Sequence, residues 1–201
     1  MISLFENVIS GSKTEEVARA LLGHFLFRET GEGAVSGIIV ETEAYLSEND
    51  PACHASRGMT RRNAAMFGPA GTAYIYFIYG NYHCFNVVTG PEGKGEAVLI
   101  RAVEPVEGLE LMLERRGRPV KKENLANGPG KLCQAFAIDK HLNGHDLRRK
   151  PLYLVQNGVV DGQVEVAVTP RIGITSAADK LLRFTVSGSN YLSRRDCAWT
   201  K

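Results

Sequence analysis

Two runs of aromatic and β-branched residues, Thr72-Ala-Tyr-Ile-Tyr-Phe-Ile-Tyr79 and Tyr82-His-Cys-Phe-Asn-Val-Val88, meet at Gly80-Asn81. Such runs around Gly-Asn read as a β-hairpin with a two-residue turn of the II′ kind. This commits the chain to at least one antiparallel strand pair. Tyr74, Tyr76 and Ile78 share one face of the first strand, and Ile75, Phe77 and Tyr79 share the other. A two-residue turn sets Tyr79 opposite Tyr82 and Ile75 opposite Asn86. Mid-strand aromatics are core residues by default. Tyr79 differs, because it stands at the hairpin tip, where burial is hardest. An exposed aromatic on a stiff two-strand projection is shaped like a wedge.

A second strand, Gly37-Ile-Ile-Val-Glu-Thr-Glu-Ala-Tyr-Leu46, poses a chemical question. Strict alternation puts Val40, Thr42, Ala44 and Leu46 on one face and Ile39, Glu41, Glu43 and Tyr45 on the other. Two carboxylates and a tyrosine on a buried face are costly. Either that face is wet, or it lines a cleft where a carboxylate has a reaction to perform. From Ser47 to Gly71 periodicity is weak, and irregular segments of that length within a domain are usually functional or disordered. Arg57, Arg61 and Arg62 in this stretch suggest a phosphate-facing loop, with a solvated surface loop as the alternative.

The remaining elements read more simply. Ser12-Lys-Thr-Glu15 resembles a capping box ahead of a helix carrying Val17, Ala18, Leu21 and Leu22, with Gly23 as its stop. His24–Arg28 is a short strand, followed by the turn Thr30-Gly-Glu-Gly33. Ala97–Val103 is a strand with Leu99 and Arg101 on one face. Pro105 suits the first position of a helix carrying Leu109, Met112 and Leu113 up to Gly117. Arg115–Lys122 is a basic loop. Asn127-Gly-Pro-Gly-Lys131 opens another short helix, either an ordinary helix start or a place for a phosphate beside Lys131. Leu152–Val155 and Val164–Val168 are strands around the turn Asn157-Gly158. Ser176–Leu182 is a brief helix and Phe184–Val186 a last strand. The fold class is therefore α+β: one domain over residues 1–201, with a curved antiparallel or mixed sheet, a protruding hairpin and surrounding helices.

Bulk properties remove several classes of function. The 201 residues are 44% hydrophobic and 23% charged, the make-up of an ordinary globular domain. No apolar run reaches membrane-span length, and the first residues lack signal-peptide features. Four separated cysteines with no C-x-x-C pair fit reduced thiols and a cytoplasmic setting. Net charge is only +2, so a polyanionic partner requires positive charge gathered on one face.

Taken together, Glu41-Thr-Glu-Ala-Tyr-Leu46, His54, Tyr76-Phe-Ile-Tyr-Gly80, Asn86, Leu99-Ile-Arg-Ala102 and Gly128-Pro-Gly-Lys-Leu-Cys-Gln-Ala135 resemble the alkyladenine (3-methyladenine) DNA glycosylase family, from about Leu21 to Val186. The combination in this order is specific; no single piece of it is. The mammalian N-terminal extension is not matched, so the resemblance is to a catalytic core. It implies removal of alkylated and deaminated purines from duplex DNA by base flipping. The partner is duplex DNA carrying a damaged purine, with no cofactor, no metal, no obligate protein partner and a monomeric chain. By motif position, Glu43 is the general base and Arg101 helps hold the attacking water. Tyr45 and Tyr76 sandwich the base, and His54 reads its edge. Leu99 and Asn86 belong to the pocket, with Asn86 opposing the 2-amino group of guanine. Tyr79 is the wedge. Arg57, Arg61, Arg62 and Lys131 contact the DNA backbone, Lys131 with the weakest motif support. No lysine is marked as an amine nucleophile, so water is the expected nucleophile and an abasic site the expected product. Two other readings stay open on residues alone. One is a metal-dependent hydrolase using Glu43, His54, His83 and Cys84, though no spaced ligand motif exists. The other is a non-catalytic nucleic-acid-binding module with tyrosine stacking platforms.

Overall fold

The computed structural model describes residues 8–9, 11–78, 80–158 and 164–194. Its strands are β1 (Phe25–Thr30), β2 (Gly33–Tyr45), β3 (Ala73–Ile78), β4 (Tyr82–Val88), β5 (Ala97–Glu107), β6 (Leu152–Val155), β7 (Val166–Thr169) and β8 (Arg183–Val186). Its α-helices are α1 (Thr14–Ala20), α2 (Leu109–Arg116) and α3 (Pro129–Ala135). The fold is α+β, with the eight strands in one curled sheet. The main path runs β3-β4-β5-β2-β1-β6. Every pairing among the described strands is antiparallel, which removes the mixed-sheet alternative.

The long strand β2 organises the sheet. One edge pairs with β5. The other is shared, with β1 along residues 33–38 and β8 along residues 41–43. One sheet face packs on the helices. Val17 and Ala18 of α1, Leu21 at its C-cap and Met112 of α2 lose all solvent contact there, as do Leu132 and Ala135 of α3. Each fully buried large aliphatic side chain contributes about 1.5–3 kcal/mol. A Thr42 hydroxyl donates to the Ala18 carbonyl at 2.7 Å, tying β2 to α1. The opposite sheet face carries the carboxylates.

Strict alternation along β2 fails at one place, and the failure matters. The register shifts between Ile39 and Glu41 and again between Glu41 and Thr42. Val40 is thus unpaired on β2, and Arg101 is unpaired on β5. Bulges of this kind re-aim side chains and are common beside active sites. Ile39 consequently joins the helix-side core, while Val40 packs with Ala102 and Leu192 on the other side. The expected grouping of Ile39 with Glu41, Glu43 and Tyr45 is corrected accordingly. Pro105 also moves: it lies inside β5 opposite Gly37, beside a third register shift, and α2 begins only after Gly108. A bulge tolerates the missing proline N–H.

The hairpin is present, with a register one residue different from that expected. Ile78 pairs with Tyr82 and Tyr74 with Asn86, so the loop holds three residues, 79–81. Three-residue loops are the next commonest hairpin class, and Gly80 takes their positive φ at 71°. The outer end is exposed, with Phe77 at 48% and Tyr82 at 47%. Tyr79 itself lies outside the described residues. Near its outer end one side of the hairpin rests on α3: a Cβ on Gly130 would approach Tyr82 Cδ1 to 2.9 Å. The Gly-Pro turn therefore seats the hairpin.

Three smaller expectations change. Ser12 does not cap α1; the Glu16 carboxylate accepts from the Lys13 N–H at 3.2 Å. Segment 176–182 forms bends and turns rather than a helix. β6 and β7 are not partners: β6 pairs with β1 and β7 with β8.

Candidate active site

Residues directly opposite each other across antiparallel strands point to the same face. Arg183, Glu43, Leu99, Asn86 and Tyr74 are linked by consecutive pairings across β8, β2, β5, β4 and β3. One lateral row thus carries a base, a carboxylate, a leucine, an amide and a phenol. The corrected hairpin register is what adds Tyr74 to it, opposite Asn86. Against this row lies a cavity of about 280 Å³, lined by Tyr45, His54, Tyr76, Asn86, Leu99 and Arg101, among others. That is at the small end of ligand pockets, roughly 300–1,000 Å³, and suits one base rather than a stretch of nucleic acid.

The walls are aromatic. The Tyr74 and Tyr76 rings are 5.5 Å apart, and His54 meets Tyr76 edge-on at 4.5 Å. His54 Nδ1 and the Tyr74 hydroxyl share a hydrogen bond of 2.8 Å. His54 keeps an exposed edge, but loss of water around part of the ring, followed by the nearby Arg62 charge, pushes it below its usual 6.5, so the neutral form dominates at pH 7. Burial also pushes the Tyr45 and Tyr76 phenols up, keeping both protonated. The Asn86 amide is fixed by donation to the Tyr74 carbonyl at 3.0 Å.

Behind this wall is a buried ion network. Glu41, Glu43 and Asp50 meet Arg101, Arg171 and Arg183, and all six are at least nine-tenths buried. The Glu41 carboxylate takes four donors: Arg101 Nε at 2.9 Å, Arg183 Nε at 2.8 Å, Ser193 Oγ at 2.7 Å and Ser193 N at 2.6 Å. Glu43 takes three: Tyr45 Oη at 2.9 Å, Arg101 Nη1 at 3.2 Å and Ile172 N at 2.7 Å. A carboxylate has about four acceptor positions. Among the described residues Glu41 is therefore saturated, and Glu43 keeps one acceptor position open. Arg101, unpaired at its bulge, bridges the two. Burial opposes its charge, but Glu43 and Glu41 outweigh burial and raise its pKa.

A family model described as methylpurine-DNA glycosylase (MPG) matches residues 9–190. The chain belongs to the methylpurine-DNA glycosylase family. Similar relatives include a protein of Carboxydothermus hydrogenoformans, 49% identical over 179 residues, 89% of this chain and 93% of the relative. Another, from Methanoculleus marisnigri, is 52% identical over 185 residues, 90% of this chain and 94% of the relative. Both are named provisionally as 3-methyladenine DNA glycosylases. This methylpurine-DNA glycosylase relative is accordingly a DNA N-glycosylase of base-excision repair.

Within the glycosylase fold, Glu43, Arg101, Tyr45, His54, Tyr76, Asn86 and Leu99 come together at one cavity and its wall. Arg57, Arg61 and Arg62 are exposed, and Arg62 Nη2 donates to the Phe77 carbonyl at 3.0 Å. That bond ties the basic loop to the hairpin. Lys131 is half-buried and donates to Asn127 Oδ1 at 2.8 Å. The metal-ligand set Glu43, His54, His83 and Cys84 is not assembled: His83 pairs with Phe77 on the hairpin face away from Cys84. Among the described residues no cluster suited to a metal ion occurs, and no helix is long and apolar enough to cross a membrane. Sequence reasoning missed Tyr74, Asp50, Arg171 and Ile172. The first was legible as a same-face neighbour of Tyr76; the others reach the site through long-range contacts and left no local signal.

Proposed function

We propose that this glycosylase turns damaged purines out of duplex DNA and hydrolyses their N-glycosidic bond with water activated by Glu43. The substrates are 3-methyladenine, 7-methylguanine, hypoxanthine and ethenoadenine. The observation that carries this reading is the open acceptor position on Glu43, directly behind the wall of a base-sized aromatic cavity and joined to its lining residues Tyr45 and Arg101.

The chemistry follows from the donors. As the bond from the sugar C1′ to the base nitrogen lengthens, its electron pair leaves with the base and positive charge grows on the sugar. The Glu43 carboxylate stabilises that charge and accepts the proton of the water whose oxygen bonds to C1′. A cationic alkylated purine leaves as a neutral base; hypoxanthine needs a proton. Tyr45 and Tyr76 hold the base, each ring contributing about 0.5–2 kcal/mol toward a cation. None of the lining residues is a lysine, which favours water over an amine nucleophile and an abasic product without strand cleavage. Arg57, Arg61, Arg62 and Lys131 contact the DNA backbone. Tyr79 fills the vacated stack, offsetting a flipping cost of a few kcal/mol. The chain acts as one catalytic domain and as a monomer in the cytoplasm.

The direct test is incubation with duplexes carrying each lesion, in the presence of chelator. Free base with an intact abasic strand supports the reading. Release that stops with chelator, or no release from any lesion, overturns it. Asn86→Ser should open the pocket floor and raise release of undamaged guanine at least several-fold relative to hypoxanthine; an unchanged ratio removes the gatekeeping role. A pH effect follows from His54. Its folded pKa is below 6.5, so below pH 6.5 the unfolded chain binds the extra proton more readily. Stability should fall as pH drops through 6.5 toward the folded value. Melting of the wild type between about pH 7.5 and about pH 5.5 should drop more than that of His54→Gln, as read by calorimetry.

A further inference from the structure

Arg171 lies behind the tyrosine that faces the base. Its guanidinium carbon is 4.6 Å from the Tyr45 ring centroid. Tyr45 lines the cavity, whereas the Arg171 side chain is fully buried and does not. The cation therefore occupies the ring face turned away from the base. Asp50 accepts both its terminal nitrogens, at 2.7 Å and 2.6 Å, and the Ala44 carbonyl accepts another bond at 3.0 Å. Asp50 also accepts from the Leu46 N–H at 3.1 Å, anchoring the chain that leads to His54. The residue after Arg171 donates the Ile172 N–H to Glu43.

We propose that the Arg171–Asp50 pair is a positioning and charge-balancing device that sets which lesions this pocket accepts. Arg171 clamps the Tyr45 ring before a base arrives, and holds the strand end that fixes Glu43. Asp50 cancels the charge of Arg171, so the ring can still receive a cationic purine. Without Asp50 a buried positive charge would stand directly behind the stacking surface. At an effective dielectric near 20 that repulsion disfavours a cationic base by about tenfold relative to a neutral one. Among the described residues Arg171 is the cation found over the Tyr45 ring; Glu43 meets the ring's hydroxyl, and Arg101 meets Glu43.

This rests on the proposed base-release reaction, and the experiment separates the two. Single-turnover release from 7-methylguanine and hypoxanthine duplexes is measured with saturating enzyme, corrected for active sites by titration. Asp50→Asn should lower the ratio of cationic to neutral release about fivefold to tenfold. Arg171→Met should slow release from both lesions at least tenfold, with lesion-duplex affinity changed less than about threefold; Arg171→Lys should recover most of the rate. A purely structural pair would change melting temperature and active fraction but leave the ratio per active site alone. If Arg171→Met does not fold, the double variant Asp50→Leu/Arg171→Met removes both charges and serves in its place. An unchanged ratio in Asp50→Asn, or a wild-type rate per site in folded Arg171→Met or the double variant, overturns the inference while base release stands. Absence of release from every lesion by the wild type overturns both.

Discussion

Glu43→Gln is expected to cut base release by about 10²–10⁴-fold while binding to lesion duplex persists. The amide keeps the shape: with its oxygen at the Oε1 position it still accepts from Ile172 N, which lies at 2.7 Å, and its NH2 can donate to Tyr45 Oη, which lies at 2.9 Å. What it loses is the capacity to take a proton from water and to oppose charge on the sugar. Gel-shift affinity and single-turnover release, measured on one preparation, separate these. Release within a few-fold of wild type removes Glu43 from the role of base. Binding lost together with release points instead to collapse of the pocket. A non-catalytic binding module predicts no release even from the wild type.

Glu41→Gln should behave in the opposite way, with its main cost in stability. Glu41 compensates Arg101 and Arg183 and accepts both Ser193 donors. Removing one partner from a buried ion network typically costs about 3–5 kcal/mol, because charge is left uncompensated. For a chain of this size that is a fall of roughly 10 °C in melting temperature. Calorimetry on the two variants provides the comparison. Glu41→Gln should melt far lower yet retain release per folded molecule to within about tenfold. Glu41→Gln that melts like wild type but releases no base would exchange the roles of the two carboxylates.

The two acids sit two positions apart on one strand, and local sequence does not distinguish them. Alternation put both on one face, and the structure agrees. The difference comes from donors supplied far along the chain. Ser193 is 152 residues from Glu41, and Ile172 is 129 residues from Glu43. No strand or helix pattern near residue 41 encodes such partners. The hairpin shows the same limit at short range. Gly80-Asn81 marked the turn correctly, but loop length decides register, and one residue of slip changes which side chains share a face. With three loop residues Tyr74 stands opposite Asn86 and enters the pocket row; with two, Ile75 would have stood there instead. Pro105 misled for a related reason, since a proline suits a bulged strand as well as a helix start.

By itself the sequence determined that this chain builds an α+β domain around an antiparallel or mixed sheet with a Gly-Asn hairpin, and that carboxylates, tyrosines and arginines recur in an order similar to one family of base-excising enzymes. Those properties reside in side-chain type and period, which are local. Tertiary structure alone decided which carboxylate keeps an open acceptor position, which arginine backs Tyr45, and which residues form one row across five strands. Each depends on bulges, register and long-range donors, and these are set by how distant segments satisfy buried charge when they pack.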